Sequence, residues 1–361
     1  MAIQKEIMID DRLIGPGHPP YIIAELSANH NGDLKTALLL IDKAVAAGAD
    51  AIKIQTYRAD TITLPSDAPE FQIDSGLWAG RTLYELYEWA HTPWEWHQTL
   101  FDHARSRGIT MFSSPFDMTA VDFLEDLGAP AFKIASFEAI DLPLIRYVAA
   151  KGKPMIISTG MADQGEVADA IAAARSGGCK ELIVLHCVSG YPAPPADYNL
   201  MTMVDMATRF DVLTGLSDHT IDNTTAVASV ALGGVVVEKH LTLDRNGGGP
   251  DDSFSLEPDD LAALCRDAKT TWDAVGRTDY GRKSSERENV KFRRSLYFTQ
   301  NIALGEVIGA HMVRSVRPGY GLAPKYLDDV IGSVASRAIK ANTAVSRDMF
   351  TTTNYSTKDT A

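Results

Sequence analysis

Eight short, apolar, β-rich runs recur along roughly the first two-thirds of the chain, at an interval close to one βα unit. They lie at 21–26 (YIIAEL), 51–55 (AIKIQ), 110–114 (TMFSS), 131–135 (AFKIA), 154–159 (PMIIST), 182–188 (LIVLHCV), 212–217 (VLTGLS) and 235–240 (VVVEKH). Amphipathic stretches separate them. In 34–47, for example, the leucines, Ile41 and Val45 fall at helical spacing. Nearly continuous apolar strands suit a parallel sheet covered on both faces. Most of the runs follow one another after ~25–30 residues, the length of one βα unit. The pattern predicts an α/β fold, a (β/α)8 TIM barrel. A doubly wound sheet is the alternative, but no G-x-G-x-x-G follows the first run.

The interval between the second and third runs is longer, and 58–93 fills it with Trp78, Tyr84, Tyr87 and Trp89. Such a segment either covers a ligand at the barrel mouth or packs as a surface helix. A helix at 258–275 would close the barrel. The charged stretch 277–295 reads as a linker. The expected organisation is a catalytic barrel at 1–276, the linker, and a small β-rich domain at 296–354. A tail over 351–361 is expected to fray.

Composition narrows the function. Lys and Arg total 34 against 47 Asp and Glu, a formal net charge of −13. No broad basic face for nucleic acid or an anionic membrane is expected. The three cysteines, Cys179, Cys187 and Cys265, do not make a disulfide scaffold. The opening MAIQKEIMIDDRLIG has no apolar leader core, and no run is long enough to span a membrane. These features predict a cytoplasmic protein.

Barrel chemistry gathers at the C-terminal ends of the strands. The polar residues there are Glu25, Lys53 and Gln55, Ser114, Lys133 with Ser136 and Glu138, Ser158, His186 with Ser189 and Tyr191, Ser217 with Asp218 and His219, and Glu238 with His240. Alternation puts Lys53 and Gln55 on one face, and likewise Glu238 and His240. A lysine in an apolar run is costly unless it is paired or holds an anion. Lys53 and Lys133 are therefore either neutralised by Glu25, Glu138 or Glu238, or they form a pocket for a phosphate and a carboxylate. Ser114, Ser136 and Ser217 would add neutral donors to such a pocket.

His219 and His240 end neighbouring strands, whose axes lie ~5 Å apart. Two imidazoles at that spacing can share one divalent ion, with substrate and water oxygens completing the shell. Two satisfied core histidines are the alternative. His186 is a weaker candidate for a third ligand.

The same residues fall within AELSANHNGDL (24–34), IKIQTY (52–57), FSSPFD (112–117), FKIAS (132–136), STGM (158–161), HCVSGYP (186–192), GLSDHT (215–220), VEKH (237–240), GGPDDSFSLEP (248–258), RRSLY (293–297) and RPGYG (317–321). With these motifs in order over about 15–350, the chain resembles the sialic acid (nonulosonic acid) synthase family. Those enzymes condense phosphoenolpyruvate with an acetamido sugar. The C-terminal piece, with GEVI at 305–308, resembles the family's antifreeze-like (SAF, β-clip) domain. The opening ELSANHN is similar to the pseudaminate-forming branch, whereas the neuraminate-forming branch usually reads E-I-G-x-N-H-N there. Ser189 stands where the neuraminate enzymes often carry asparagine. The resemblance thus implies 2,4-diacetamido-2,4,6-trideoxy-L-altrose as acceptor, with N-acetylneuraminate or legionaminate synthesis as alternatives.

Carried onto this sequence, the resemblance implies that His219 and His240 bind a divalent metal (Mn²⁺, Mg²⁺ or Co²⁺). Lys53, Ser114, Lys133, Ser136 and Ser217 would hold phosphoenolpyruvate. Gln55, Glu138, Ser189, Tyr191 and Asp251 would face the sugar. Glu25 would act as a base or position water, and Glu238 would support the site. Arg317 would reach the other subunit of a domain-swapped homodimer and bind an acetamido group. Two other classes remain: a metal-dependent aldolase using free pyruvate, for which two phosphate-poised lysines would be surplus, and a non-catalytic sugar- or ice-binding protein.

Overall fold

A computed structural model describes residues 6–352. The expectations for the extreme N-terminus and for most of the 351–361 tail fall on 1–5 and 353–361, outside the described residues. The chain divides into two compact units, Met1–Gly276 and Arg277–Ala361.

The first unit opens with a short antiparallel hairpin, β1 (Ile7–Ile9) and β2 (Arg12–Ile14). Eight parallel strands follow: β3 (Tyr21–Glu25), β4 (Ala51–Thr56), β5 (Thr110–Pro115), β6 (Phe132–Ile134), β7 (Met155–Ser158), β8 (Leu182–Cys187), β9 (Leu213–Asp218) and β10 (Val236–His240). They run in sequence order and close on themselves through the β10–β3 pair. This is the (β/α)8 barrel read from the run spacing. The doubly wound alternative does not apply, because an open sheet leaves two edge strands and here there are none. Helices form where the local chemistry starts and stops them. Asp33 caps Leu34–Ala47 by accepting from the Lys35 and Thr36 amides, and Gly48 ends it at φ 86°, a left-handed conformation suited to glycine.

Alternation along the strands divides the core in two. Ile22, Ala24, Ile52, Ile54, Phe132, Ile134, Met155, Ile157, Val184 and Val237 pack outward among the helices. Tyr21, Ile23, Ala51, Phe112, Ala131, Ile156, Ile183, Leu185, Leu213 and Val236 form a separate inner cluster. Ile7, Ile9 and Ile14 of the hairpin belong to that inner cluster, so the hairpin stops the N-terminal mouth. The inner positions next in order are Glu25, Lys53, Ser114, Lys133, Ser158, Cys187, Ser217 and Glu238, an almost entirely polar layer at the other mouth. Every one is buried. The barrel is a packed apolar column capped by a buried polar stratum.

Segment 58–93 folds as short helices, Ala59–Ile62 and Leu83–Ala90, joined by a 3₁₀ turn at Pro69–Phe71. It packs on the barrel and also contributes to a cavity at the mouth. Leu86 packs inward, while Trp78 and Tyr87 reach the cavity described below. No helix among the described residues is long and apolar enough to cross a membrane.

The second unit is built on β11 (Ser295–Phe298) paired antiparallel with β12 (Val313–Val316). Leu296, Phe298, Ile302, Ile308, Val330, Val345 and Phe350 are among its core residues. The stretch expected to link the domains groups with this unit and carries an exposed 3₁₀ run, Ser284–Phe292. Arg317 is exposed, in a turn that Ser295 braces by donating to the Pro318 carbonyl at 2.7 Å and accepting from the Gly321 amide at 2.9 Å.

Candidate active site

Strand register assembles the polar layer. On β3, Glu25 lies beside Lys53 of β4 on one side and His240 of β10 on the other. Gln55 is level with Ser114, and Ser217 with both Cys187 and Glu238. Residues spread over more than two hundred positions therefore meet at one height in the barrel.

The lysines are paired with carboxylates. Lys53 Nζ lies 2.8 Å from Glu25 Oε2 and 3.0 Å from Glu238 Oε1. Lys133 Nζ lies 3.4 Å from the same Glu238 oxygen. Lys53 donates to Ser114 Oγ at 3.4 Å, and Ser217 Oγ donates to Glu238 at 3.3 Å. Burial pushes the Glu25 carboxyl upward, and Lys53 only partly offsets this. For Glu238 burial acts the same way, but Lys133 and Lys53 together hold its carboxyl below the usual range. Burial brings Lys133 down to about 8, although Glu238 pulls the other way. Lys53 stays above the ordinary lysine range, because Glu238 and Glu25 outweigh its burial. Of the two alternatives posed above, ion pairing is the one the structure shows, with Glu25 and Glu238 as the partners. These carboxylates neutralise ammonium groups that an incoming anion could also neutralise.

The two histidines stand side by side, with ring centroids 5.4 Å apart. The Val188 carbonyl accepts a hydrogen bond from His219 Nδ1 at 2.8 Å, which leaves Nε2 as the lone-pair nitrogen. Burial holds the His240 imidazole far below its ordinary range, so it is neutral. Its buried Nδ1 has no hydrogen-bond partner among the described residues. The neutral His240, with its orphaned nitrogen, fits a divalent cation. Burial pulls the His219 imidazole down, but Cys187 and the Val188 carbonyl together raise it above its ordinary range, so His219 must shed a proton to offer Nε2 to a cation. No group of three or more His, Cys, Asp or Glu side chains suited to a metal occurs among the described residues. Such an ion would draw its remaining ligands from substrate and water. His186 does not join them. Inner positions on β8 are Ile183, Leu185 and Cys187, so His186 points outward and its Nε2 contacts the Tyr198 carbonyl.

Beyond the polar layer lies a cavity of about 180 Å³. Ser27, Gln55, Ser136, Glu138, Tyr191, His240 and Asp251 give it polar groups, and Tyr57, Ile62, Trp78, Leu86, Tyr87, Phe116 and Phe137 an apolar wall. Gln55 donates to Ser27 Oγ at 3.1 Å, and Ser27 donates to Asp251. Tyr191 packs on His219 with centroids 4.5 Å apart. Trp78 donates to the Pro250 carbonyl at 2.9 Å. Burial pushes the Glu138 carboxyl up to about 7. Ser136 accepts from the Gly160 amide at 3.1 Å, and Ser189 lies close by, since a Cβ on Gly160 would clash with both hydroxyls.

Residues 40–280 match the NeuB family and 293–351 match the SAF domain. The chain belongs to the NeuB family. It is 42% identical to a pseudaminic acid synthase of Campylobacter jejuni over 330 residues, covering 91% of this chain and 96% of that enzyme. It is 40% identical to the pseudaminic acid synthase of Helicobacter pylori, covering 91% of this chain and 97% of that one. A crystal structure of N-acetylneuraminic acid (sialic acid) synthetase from Leptospira borgpetersenii serovar Hardjo-bovis superposes with a TM-score of 0.72 at 30% identity. That match covers 81% of this chain and 97% of the other. Enzymes of the NeuB family are generally metal-dependent.

Within this NeuB-family barrel the structure gathers Glu25, Lys53, Gln55, Ser114, Lys133, Ser136, Glu138, Ser189, Tyr191, Ser217, His219, Glu238, His240 and Asp251 at one mouth, while His186 and Asp218 turn to the outer side. Arg317 belongs to the second unit. Three site residues escaped the sequence reading: Ser27, which bridges Gln55 and Asp251, and Tyr57 and Phe116 of the cavity wall. Ser158, read from the sequence as a strand-end polar residue without a role, turns to the inner face a buried hydroxyl with no partner among the described residues. Alternation beyond Glu25 was the sequence signal that could have found Ser27.

Proposed function

We propose that the chain catalyses the metal-dependent condensation of phosphoenolpyruvate with 2,4-diacetamido-2,4,6-trideoxy-L-altrose, the reaction of a pseudaminic acid synthase, releasing phosphate by C–O cleavage. The observation that carries this reading is the meeting of two buried lysines and two imidazoles at one barrel mouth. A pyruvate aldolase has no use for two ammonium groups at the bottom of the pocket, and a binding module has no use for any of the four.

In this reading Lys53 and Lys133 take the phosphate and carboxylate of phosphoenolpyruvate, with Ser114, Ser136 and Ser217 as neutral donors. The sugar lies above, in its open-chain form, against Gln55, Glu138, Ser189, Tyr191 and Asp251. The apolar wall suits an acceptor with a methyl at one end and two acetamido methyls. His219 and His240 would hold a divalent ion, Mn²⁺, Mg²⁺ or Co²⁺, which when bound polarises the aldehyde carbonyl. The methylene carbon of phosphoenolpyruvate forms the new C–C bond to that aldehyde, whose oxygen becomes a hydroxyl by taking the proton that Glu25 removes from the adding water. A water oxygen adds to the former enol carbon, and Glu25 takes up its proton. The C–O bond to phosphate then breaks, giving the keto acid and inorganic phosphate. The lysines stabilise the phosphate charge by being in place beforehand. Glu238 keeps them oriented between turnovers. The partner subunit's Arg317 would bind an acetamido group in a domain-swapped homodimer. Both substrates are soluble metabolites, and we place the enzyme in the cytoplasm.

The test is incubation with phosphoenolpyruvate, Mn²⁺ and, in turn, the diacetamido-trideoxy-L-altrose, its manno-configured counterpart used for legionaminate, and N-acetylmannosamine. Product mass and released phosphate are read together. The expected result is stoichiometric phosphate and a condensed product with the first sugar. Preference for either of the others reassigns the acceptor, and turnover of free pyruvate rejects the reaction. Oxygen-18 in the bridging position should leave with the phosphate.

A further inference from the structure

β9 and β10 present their histidines to the barrel mouth, and on the opposite side they carry a second buried ion pair that this chemistry does not use. Lys239 is register-paired with Asp218, and Lys239 Nζ lies 2.9 Å from Asp218 Oδ2. The two side chains are 1% and 0% exposed. Lys239 also donates to the Thr220 carbonyl at 2.7 Å and to the Asp222 carbonyl at 2.6 Å. Asp218 in turn accepts from the Thr220 amide at 2.9 Å and the Thr220 hydroxyl at 3.1 Å. Tyr198, fully buried, accepts from the His219 amide at 2.6 Å and hydrogen-bonds the Asp218 carboxylate.

A buried ion pair is a poor device for stability alone, since apolar side chains of similar volume often serve as well or better. This one has a particular address. Lys239 immediately precedes His240, and its ammonium grips the backbone just beyond His219. Asp218 immediately precedes His219, and Tyr198 holds the His219 amide itself. One network thus fastens the main chain at both imidazoles, which apolar packing could not do with hydrogen-bond directionality.

We propose that Lys239, Asp218 and Tyr198 are positioning residues that set the spacing and aim of the His219 and His240 rings, and so the affinity of the divalent-ion site. This rests on the reading that those two rings bind a metal. Outer groups that orient metal-binding histidines are commonly worth 10- to 100-fold in affinity.

The test is Mn²⁺ binding, by calorimetry and by electron paramagnetic resonance of free Mn²⁺, to the full-length protein and to Y198F, K239M and K239R. Phosphoenolpyruvate binding without metal is measured in parallel. Y198F and K239M should each lose about 10- to 100-fold in Mn²⁺ affinity. K239R should recover part of it. Phosphoenolpyruvate affinity should stay within about twofold, since Lys53 and Lys133 are untouched. Circular dichroism checks that each variant is folded, and if K239M is not, Y198F decides, because it removes a single oxygen. Wild-type Mn²⁺ affinity in folded Y198F overturns the proposal while the metal site stands. Absence of Mn²⁺ binding by the wild-type protein overturns the proposal and the metal reading together.

Discussion

Glu238 Oε1 lies 3.0 Å from Lys53 Nζ and 3.4 Å from Lys133 Nζ, so a single carboxylate oxygen serves both ammonium groups of the pocket floor. Phosphoenolpyruvate would bring its own negative charges to the same two cations. On the proposed assignment, substrate and Glu238 would therefore compete for them. In E238Q the lysines lose a shared counter-charge in a fully buried setting, and removing one partner of such a cluster costs about 3–5 kcal/mol. The melting temperature should fall accordingly. Saturating phosphoenolpyruvate should then raise the melting temperature of E238Q by more than it raises that of the wild type. Equal shifts in the two proteins would show that the anion binds elsewhere.

Burial holds the Glu138 carboxyl at about 7, against an ordinary value of 4.5. Because the folded value is the higher one, folding is favoured most below about 4.5 and loses that contribution as the pH rises through 7. Glutamine cannot ionise, so E138Q should remove this slope. It should exceed the wild type in stability above pH 7, by on the order of 3 kcal/mol. Urea unfolding of both proteins at pH 4.5 and pH 8 measures the difference. A constant gap between the two curves would contradict the assignment.

With only two protein ligands, an ion on His219 and His240 is open to chelators. Treatment with EDTA followed by desalting should abolish turnover, and Mn²⁺ should restore it. H240A should lose about 10³-fold or more in rate, the size expected when charge stabilisation of several kcal/mol is removed. Its thermal melt should fall by no more than loss of the ring's packing on Phe254 and His219 accounts for, because His240 Nδ1 makes no hydrogen bond that the variant would forfeit. A large loss of stability with substantial remaining activity would mark His240 as a core residue.

The proposal that Arg317 acts in trans makes R317A and H240A complementary. Each should be nearly inactive alone. Co-refolded in equal amounts, they should recover about a quarter of the wild-type rate, since half the dimers are mixed and each mixed dimer has one intact site. No recovery on mixing would confine Arg317 to its own subunit or exclude it from the site.

Strand periodicity made the barrel legible, because a buried parallel strand must be apolar on both faces and its exceptions stand out. Lys53, Lys133 and Glu238 were visible as charges inside apolar runs, and His219 and His240 as neighbours at strand ends. His186, read as the weaker candidate, could have been set aside outright, since inward Ile183 and Leu185 put it on the outer face. Lys239 escaped for the complementary reason: its neighbours Glu238 and His240 drew the reading to the inner face. Tyr198 was not legible. It sits on a loop, and what brings it to the His219 amide is closure of the barrel rather than any local spacing. The sharing of one Glu238 oxygen between two lysines is likewise a fact of three dimensions.

The β1–β2 hairpin makes the barrel a vessel with one door. On the proposed assignment, whatever reaches Lys53 and Lys133 at the bottom would pass the level taken by the sugar. Traffic through a single doorway would then impose a queue, with the deeper guest arriving first and its phosphate leaving after the long product has cleared the threshold. Three isoleucines at the opposite end, Ile7, Ile9 and Ile14, would thus help write the kinetics without touching a substrate.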